Sequence, residues 1–265
     1  MVYKTIKFSE PQEGLGLLLL NRPERLNALN LEMVEELHAF FFHLQNQERV
    51  RVLIITGAGR GFCAGADLKD AKILGAGENL LNQPARYLVT IQKKYGNLIL
   101  EMRRAPQPII AAVNGPAAGG GMSLALAADV IVATPQAYFV PSFINIGLAA
   151  GEMGSSYLLP RAVGLFRAAE ILYTGRVVEA AEAEKIGLVS QVVPEEKLLT
   201  KAQEIAEQML SKSALGLRLT KEILNNNLSA PSLEAAVEME NRNQSLLVAH
   251  PDFLKAVQNF KKEKK

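Results

Sequence analysis

The sequence predicts an α/β protein that ends in a purely helical region, and three features predict it. Short β-branched apolar runs, such as Val52 to Thr56, Ile109 to Val113 and Val130 to Ala133, alternate with helical patterns. Glycine clusters follow two of these runs, at Gly57 to Gly65 and at Gly119 to Gly121. From Pro194 onward the alternation stops and only helical patterns remain, which divides the chain into residues 1–194 and residues 195–265.

The elements follow in order. Tyr3 to Phe8 and Leu15 to Leu20 read as an opening hairpin around a turn at Glu10 to Gly14. Asn30 is placed to cap a helix from Leu31 to about Gln45, with Met33, Leu37, Phe40, Phe41 and Leu44 on its apolar side. Val52 to Thr56 is a buried strand that runs into the first glycine cluster. Leu68 to Asn79 is polar and interrupted by glycines, as expected of a short mobile helix. Leu88 to Met102 is a long helix with Ile91, Tyr95, Leu98, Ile99 and Met102 on one side. Ile109 to Val113 is a strand, Met122 to Ala128 a compact apolar helix, and Val130 to Ala133 a strand. Helices are expected at Ser155 to Leu159, Arg167 to Thr174 and Glu179 to Ile186, the last ended by Gly187. Val189 to Val193 is a final strand. Four helices close the chain: Leu198 to Lys212, Ala214 to Leu224, Ser232 to Ala249 and Pro251 to Phe260.

Composition narrows the function. A chain of 265 residues, 49% hydrophobic, can bury a large core. Its 29 basic and 27 acidic residues leave a net charge of +2, so no global field argues for nucleic acid or a membrane surface. Cys63 is the one cysteine, which excludes a disulfide framework and zinc-ligand spacing, and no metal site is expected. Met1-Val2-Tyr3-Lys4 shows no signal-peptide pattern, and no apolar run reaches membrane-spanning length. A reducing, cytoplasmic setting is the expectation.

The two glycine clusters carry the chemistry-bearing signals. Gly57 to Asp67 lacks the Gly-Lys-Ser/Thr of a nucleotide-phosphate loop, and its third glycine falls too early for a dinucleotide fingerprint. Cys63 lacks a nearby base, since the histidines are His38, His43 and His250, and it reads as a small packed thiol. Gly119-Gly120-Gly121 at a helix start has two readings. Either its backbone N–H groups face an anion or a developing negative oxygen, or only glycine fits the packing there.

Arg22-Pro23 with Leu26-Asn27-Ala28-Leu29, Gly57 to Leu68, Ala112 to Gly121, and Leu159-Pro160-Arg161 with Gly164 stand in a fixed order and spacing. Together these motifs resemble the crotonase, or enoyl-CoA hydratase/isomerase, superfamily. The resemblance implies a spiral of ββα units over residues 1–194 and a helical trimerisation region over 195–265. It implies a homotrimer or a dimer of trimers, and an acyl-CoA thioester as substrate. Coenzyme A would then enter as part of the substrate, with no separate cofactor. By motif match, the backbone N–H groups of Ala66 and Gly120 form the oxyanion hole, which favours the first reading of the triplet. The CoA-binding residues implied are Arg25, Ala64, Asp67, Leu68 and Lys69, with Phe260 and Lys261 over the adenine. Asp67 is also expected to brace the oxyanion loop, and Asp129 to pair structurally.

The chain departs from the family where water would be added. A crotonase-type hydratase needs two carboxylates facing one water. The positions that match them hold Ser123 and Phe143, both then expected to line the substrate site. One acid, Glu152, lies in the loop from Gly147 to Tyr157, where Δ3,Δ2-enoyl-CoA isomerases and the phenylacetate-pathway isomerase place their acid–base residue. The resemblance therefore implies double-bond isomerisation with Glu152 as the catalytic group. A vestigial acyl-CoA-binding protein and a weak hydratase are the alternatives.

Overall fold

The computed structural model describes residues 3–71, 73 and 82–263, and side chains as far as Asn259. Nine strands are assigned among these residues: β1 (Ile6–Gln12), β2 (Leu15–Leu20), β3 (Val52–Gly57), β4 (Ile109–Val113), β5 (Ala117–Ala118), β6 (Val130–Ala133), β7 (Tyr138–Val140), β8 (Val178–Glu179) and β9 (Gln191–Val192). The helices are α1 (Leu31–Gln45), α2 (Pro84–Tyr87), α3 (Lys93–Arg104), α4 (Gly120–Ala127), α5 (Ser155–Val163), α6 (Leu165–Thr174), α7 (Ala180–Lys185), α8 (Leu198–Leu210), α9 (Ala214–Asn227), α10 (Leu233–Val248) and α11 (Pro251–Glu263). A π turn, Leu88–Gln92, joins α2 to α3. The helix expected over Leu68 to Asn79 falls largely outside the described residues.

A six-stranded sheet in the order β1-β2-β3-β4-β6-β9 forms the frame, and β5-β7-β8 form a second, three-stranded sheet. In the larger sheet only β1 runs antiparallel to its neighbour. Its central strands β3 and β4 are buried along their whole length, which is why they read as unbroken apolar runs. Alternate side chains divide between two cores. Leu53, Ile55, Ile109, Ala111 and Val113 join the buried faces of α1, α3 and α4. Val52, Ile54, Ile110 and Ala112 face the other way, onto Leu198, Ala202 and Ala206 of α8. The first helix after Pro194 is thus the cover of the sheet's second face.

Beyond α8 the packing thins. In α9 and α10, Lys221 and Asn243 are the buried residues, while Leu224, Leu233, Leu246 and Val248 are exposed. Lys221 ties α9 to the core through Asp129 Oδ2 at 2.8 Å and the Gln107 carbonyl at 2.8 Å. Asp129 also pairs with Arg103 at 3.1 Å and caps the Ile109 N–H at 2.8 Å, so its role is structural, as expected. Among the described residues no helix is long and apolar enough to cross a membrane.

The opening strand sits later than its alternation predicts, at Ile6–Gln12 instead of Tyr3 to Phe8. A register shift between Ser9 and Gln12 carries the chain past Pro11. Proline is tolerated there because β1 is the sheet edge.

Candidate active site

The site is built where the first glycine cluster meets the second. Leu29 and Ala66 form a parallel bridge in which Leu29 N–H donates to the Gly65 carbonyl at 2.7 Å and Asp67 N–H to the Leu29 carbonyl at 2.9 Å. The bridge uses the groups flanking Ala66, so the N–H of Ala66 itself points away from Leu29. Tyr95 adds its hydroxyl to the Leu29 carbonyl at 2.9 Å. A second bridge, Cys63 to Ala117, fastens this loop to β5 through Cys63 N–H to the Pro116 carbonyl at 3.0 Å and Ala118 N–H to the Cys63 carbonyl at 2.9 Å.

Each glycine of the triplet answers a different demand. Gly119 has φ 50° and ψ −117°, a conformation closed to L side chains. Gly120 opens α4, so its N–H has no partner within the helix. Gly121 lies so close to the first loop that a Cβ there would stand 2.0 Å from the Cys63 carbonyl oxygen. The two readings of the triplet are therefore not exclusive, since Gly121 is required by packing and Gly120 presents a donor. A Cβ on Gly65 would stand 3.3 Å from Gly120 N, which puts the Ala66 segment against the start of α4.

Phe143 and Met153 cover this junction. The Phe143 ring lies 3.6 Å from the side-chain direction of Gly119, and Met153 Sδ lies 3.0 Å from that of Gly120. Glu152 precedes Met153 on the loop before α5 and is half-buried. Its carboxylate is held above the usual range by burial, opposed by a hydrogen bond from the Met153 backbone and one from Gln92. Gln92 Nε2 donates to Glu152 Oε1 at 2.6 Å. Met153 has φ 48°, an uncommon conformation for a residue with a side chain.

Ser123, expected to touch substrate, is fully buried, and its hydroxyl donates to the Glu152 carbonyl at 3.2 Å. It braces the loop that carries the carboxylate. Ser155 does the same through the Ala150 carbonyl at 2.8 Å. Phe139, four residues before Phe143, is buried in the main core.

A second constellation flanks the donor loop. Arg22 pairs with Asp67 at 2.8 Å and reaches the Ala28 carbonyl at 2.5 Å, while Lys69 N–H donates to Asp67 Oδ1 at 3.1 Å. Asp67 therefore braces the loop, as expected. Asn27 spans the same loop from the other side, giving its amide to the carbonyls of Ala58 at 2.9 Å and Gly61 at 2.8 Å. Arg25 and Lys69 come together around a cavity of about 240 Å³, with Arg22, Asp67 and Asp70 on its walls. Leu68 is half exposed beside it, and Ala64 spends its N–H on the Leu26 carbonyl at 3.0 Å. The side chains of Phe260 and Lys261 lie outside the described residues. Cys63 is buried, and its thiol is pushed up to about 12, which fits a packed, unreactive group. Among the described residues no cluster of His, Cys, Asp or Glu could hold a metal ion.

The structure thus brings together Ala66, Gly120, Ser123, Phe143 and Glu152, and separately Arg25, Asp67 and Lys69. Sequence reasoning missed Gln92. A glutamine on a polar helix face carries no signal of its own.

Residues 10–265 match the protein family described as enoyl-CoA hydratase/isomerase. A probable enoyl-CoA hydratase of Mycobacterium tuberculosis is 47% identical over 234 residues, covering 88% of this chain and 81% of the relative. The 1,2-epoxyphenylacetyl-CoA isomerase of Escherichia coli is 36% identical over 253 residues, covering 95% and 94%. Among solved structures, a probable enoyl-CoA hydratase/isomerase from Mycobacterium abscessus superposes with a TM-score of 0.87 at 40% identity, covering 99% of this chain and 97% of that one. A monofunctional enoyl-CoA isomerase from Mycobacterium smegmatis does so with a TM-score of 0.74 at 42% identity, covering 88% and 98%.

Proposed function

The chain belongs to the enoyl-CoA hydratase/isomerase family, and from that premise we propose that it shifts the double bond of an acyl-CoA thioester, with Glu152 as the acid–base group. The observation that carries this reading is a carboxylate, Glu152, on the loop that covers the start of α4. Glu152 stands next to Met153, which covers Gly120, while the positions of the hydratase pair hold Ser123 and Phe143.

One carboxylate suffices for isomerisation because no water is added. Glu152 removes a proton from C2 of a 3-enoyl thioester, and the electron pair moves into the thioester oxygen as a dienolate. The Ala66 and Gly120 amides hold that oxygen, each worth on the order of 3 kcal/mol of barrier. The dienolate then collapses with the double bond between C2 and C3, and the carboxyl returns its proton to C4. Burial raises the basicity of Glu152, and Phe143 and Met153 keep water from the intermediate. Arg25 and Lys69 are the cations proposed for the CoA phosphates. The exposed leucines of α9 and α10 are proposed to pack against other copies of the chain.

Hydration has its own support in the names of the 47% identical relatives. The two reactions separate in one assay. With 3-hexenoyl-CoA, the conjugated 2-enoyl product should accumulate, while crotonyl-CoA should be hydrated slowly or not at all. Glu152→Gln should lower isomerisation by at least ~10²-fold and leave CoA-ester binding nearly unchanged. Hydration at the rate of a dedicated hydratase, or isomerisation that survives Glu152→Gln, would sink the reading.

A further inference from the structure

Between α2 and α3 the helix leaves α geometry for one π turn, Leu88–Gln92. At 3.6 residues per turn, two residues five apart point about 140° away from each other. Bonding from i to i+5 widens the turn and swings such a pair toward one side, and π turns often occur at functional sites. The pair here is Tyr87 and Gln92, and both answer to Glu152. Gln92 Nε2 meets Glu152 Oε1 at 2.6 Å. The Tyr87 hydroxyl is pushed up by burial and, after that, by the Glu152 charge.

We propose that Gln92 is a positioning residue for Glu152: its side-chain amide takes one carboxylate oxygen, fixes the rotamer of that group, and clamps the loop before α5 to the helix before α3. The proposal rests on the reading of Glu152 as the acid–base group. Among the described residues, Ser123 and Ser155 hold the backbone of this loop, at the Glu152 and Ala150 carbonyls, and the Met153 N–H reaches the carboxylate from within the loop itself. Gln92 holds the working end, and it comes from a different element. A neutral amide suits the task. A cation at that distance would keep the carboxylate ionised and weaken it as a base, and a second carboxylate would share its proton. An amide donor steadies the anion against the cost of burial without doing either. Tyr87 is the titratable group on the same helix that faces this charge.

The experiment is a carbon-13 NMR titration of the Glu152 carboxyl in the full chain, assigned with Glu152→Gln, run beside the pH profile of 3-hexenoyl-CoA isomerisation. Gln92→Leu should move the Glu152 midpoint up by about one pH unit, the size of one lost bond to a charged acceptor. Gln92→Lys should move it down, and the acid limb of kcat/KM should follow both. Opposite shifts from two variants at one position are not what general loosening of the fold would produce. Wild-type midpoints in both variants would overturn the proposal. The titration needs no turnover, so the two readings fail separately. Shifted midpoints in a protein that does not isomerise uphold the clamp and sink the isomerase. Isomerisation that depends on Glu152, with unmoved midpoints and acid limbs, upholds the isomerase and sinks the clamp.

Discussion

The wall that carries the Ala66 and Gly120 amides is joined by backbone bridges that side chains reinforce, whereas the wall that carries Glu152 is a loop tied to its surroundings by side chains. On the first, the bridges Leu29 to Ala66 and Cys63 to Ala117 lock the donor loop between α1 and β5, and Gly121 packs against a carbonyl with no room to spare. On the second, two serine hydroxyls and one glutamine amide hold a turn that places Met153 at φ 48°. The difference matches the proposed chemistry. Negative charge develops at one oxygen and needs donors that do not move. A proton must leave one carbon and return to another two bonds away, so the group that carries it must be aimed where it reaches both.

Substitutions should therefore act on the fold at the first wall and on the reaction at the second. The largest effect is expected from Gly121→Ala, whose Cβ would stand 2.0 Å from the Cys63 carbonyl. It should cost more than about 4 kcal/mol, at the upper end for a single change, and leave little folded protein. A thermal melt near that of wild type would break the comparison at its stronger side. Arg22→Met comes next, because it strands the Asp67 carboxylate in a largely buried place. Chemical denaturation should show a loss of about 3 kcal/mol. Ser123→Ala deletes one 3.2 Å bond on the carboxylate wall and should cost about 1 kcal/mol, with a drop in isomerisation larger than its effect on unfolding suggests. Equal losses of stability from Ser123→Ala and Arg22→Met would erase the distinction.

The smallest effect has an unusual sign. Burial holds Glu152 above the ordinary carboxylate range. Between the ordinary value and the raised one, the unfolded chain binds fewer protons than the folded chain, so stability falls as pH rises through that window. Glu152→Gln removes the ionisation. The variant should melt slightly higher than wild type at neutral pH and alike below the carboxylate range, as differential scanning calorimetry would show. A lower melt at neutral pH would mean that the charged loop is well accommodated.

Legibility in the sequence follows the same division. The donor wall could be read in advance because its demands fall on residue type. Only glycine tolerates the backbone of Gly119 or the approach at Gly121, and unbroken apolar runs mark strands covered on both faces. Asn27, quoted only as a motif residue, turns out to carry two loop carbonyls on its amide. On the carboxylate wall, Glu152 was legible through the position of one acid in one loop, and Ser123 and Phe143 through the motif positions they occupy. Gln92 was not, because its direction depends on a π turn that no residue in Leu88–Gln92 announces. The strands β5, β7 and β8 are two or three residues long and too short to show a period. The spacing of Leu198, Ala202 and Ala206 was visible, but a helical stripe does not say which surface it covers.

Cys63 gives the first wall a use at the bench. It is the chain's single cysteine, it sits under the bridge to Ala117, and its thiol is pushed up to about 12. At pH 8 about one such thiol in ten thousand is ionised, so a disulfide reagent has almost nothing to attack while the wall is closed. Each labelling event would then record an excursion in which the donor loop parts from its neighbours. When reclosing outruns the reagent, the labelling rate measures the free energy of that opening with no engineered cysteine. A thioester seated on the two amides should slow the reaction in proportion to how firmly it holds the loop shut.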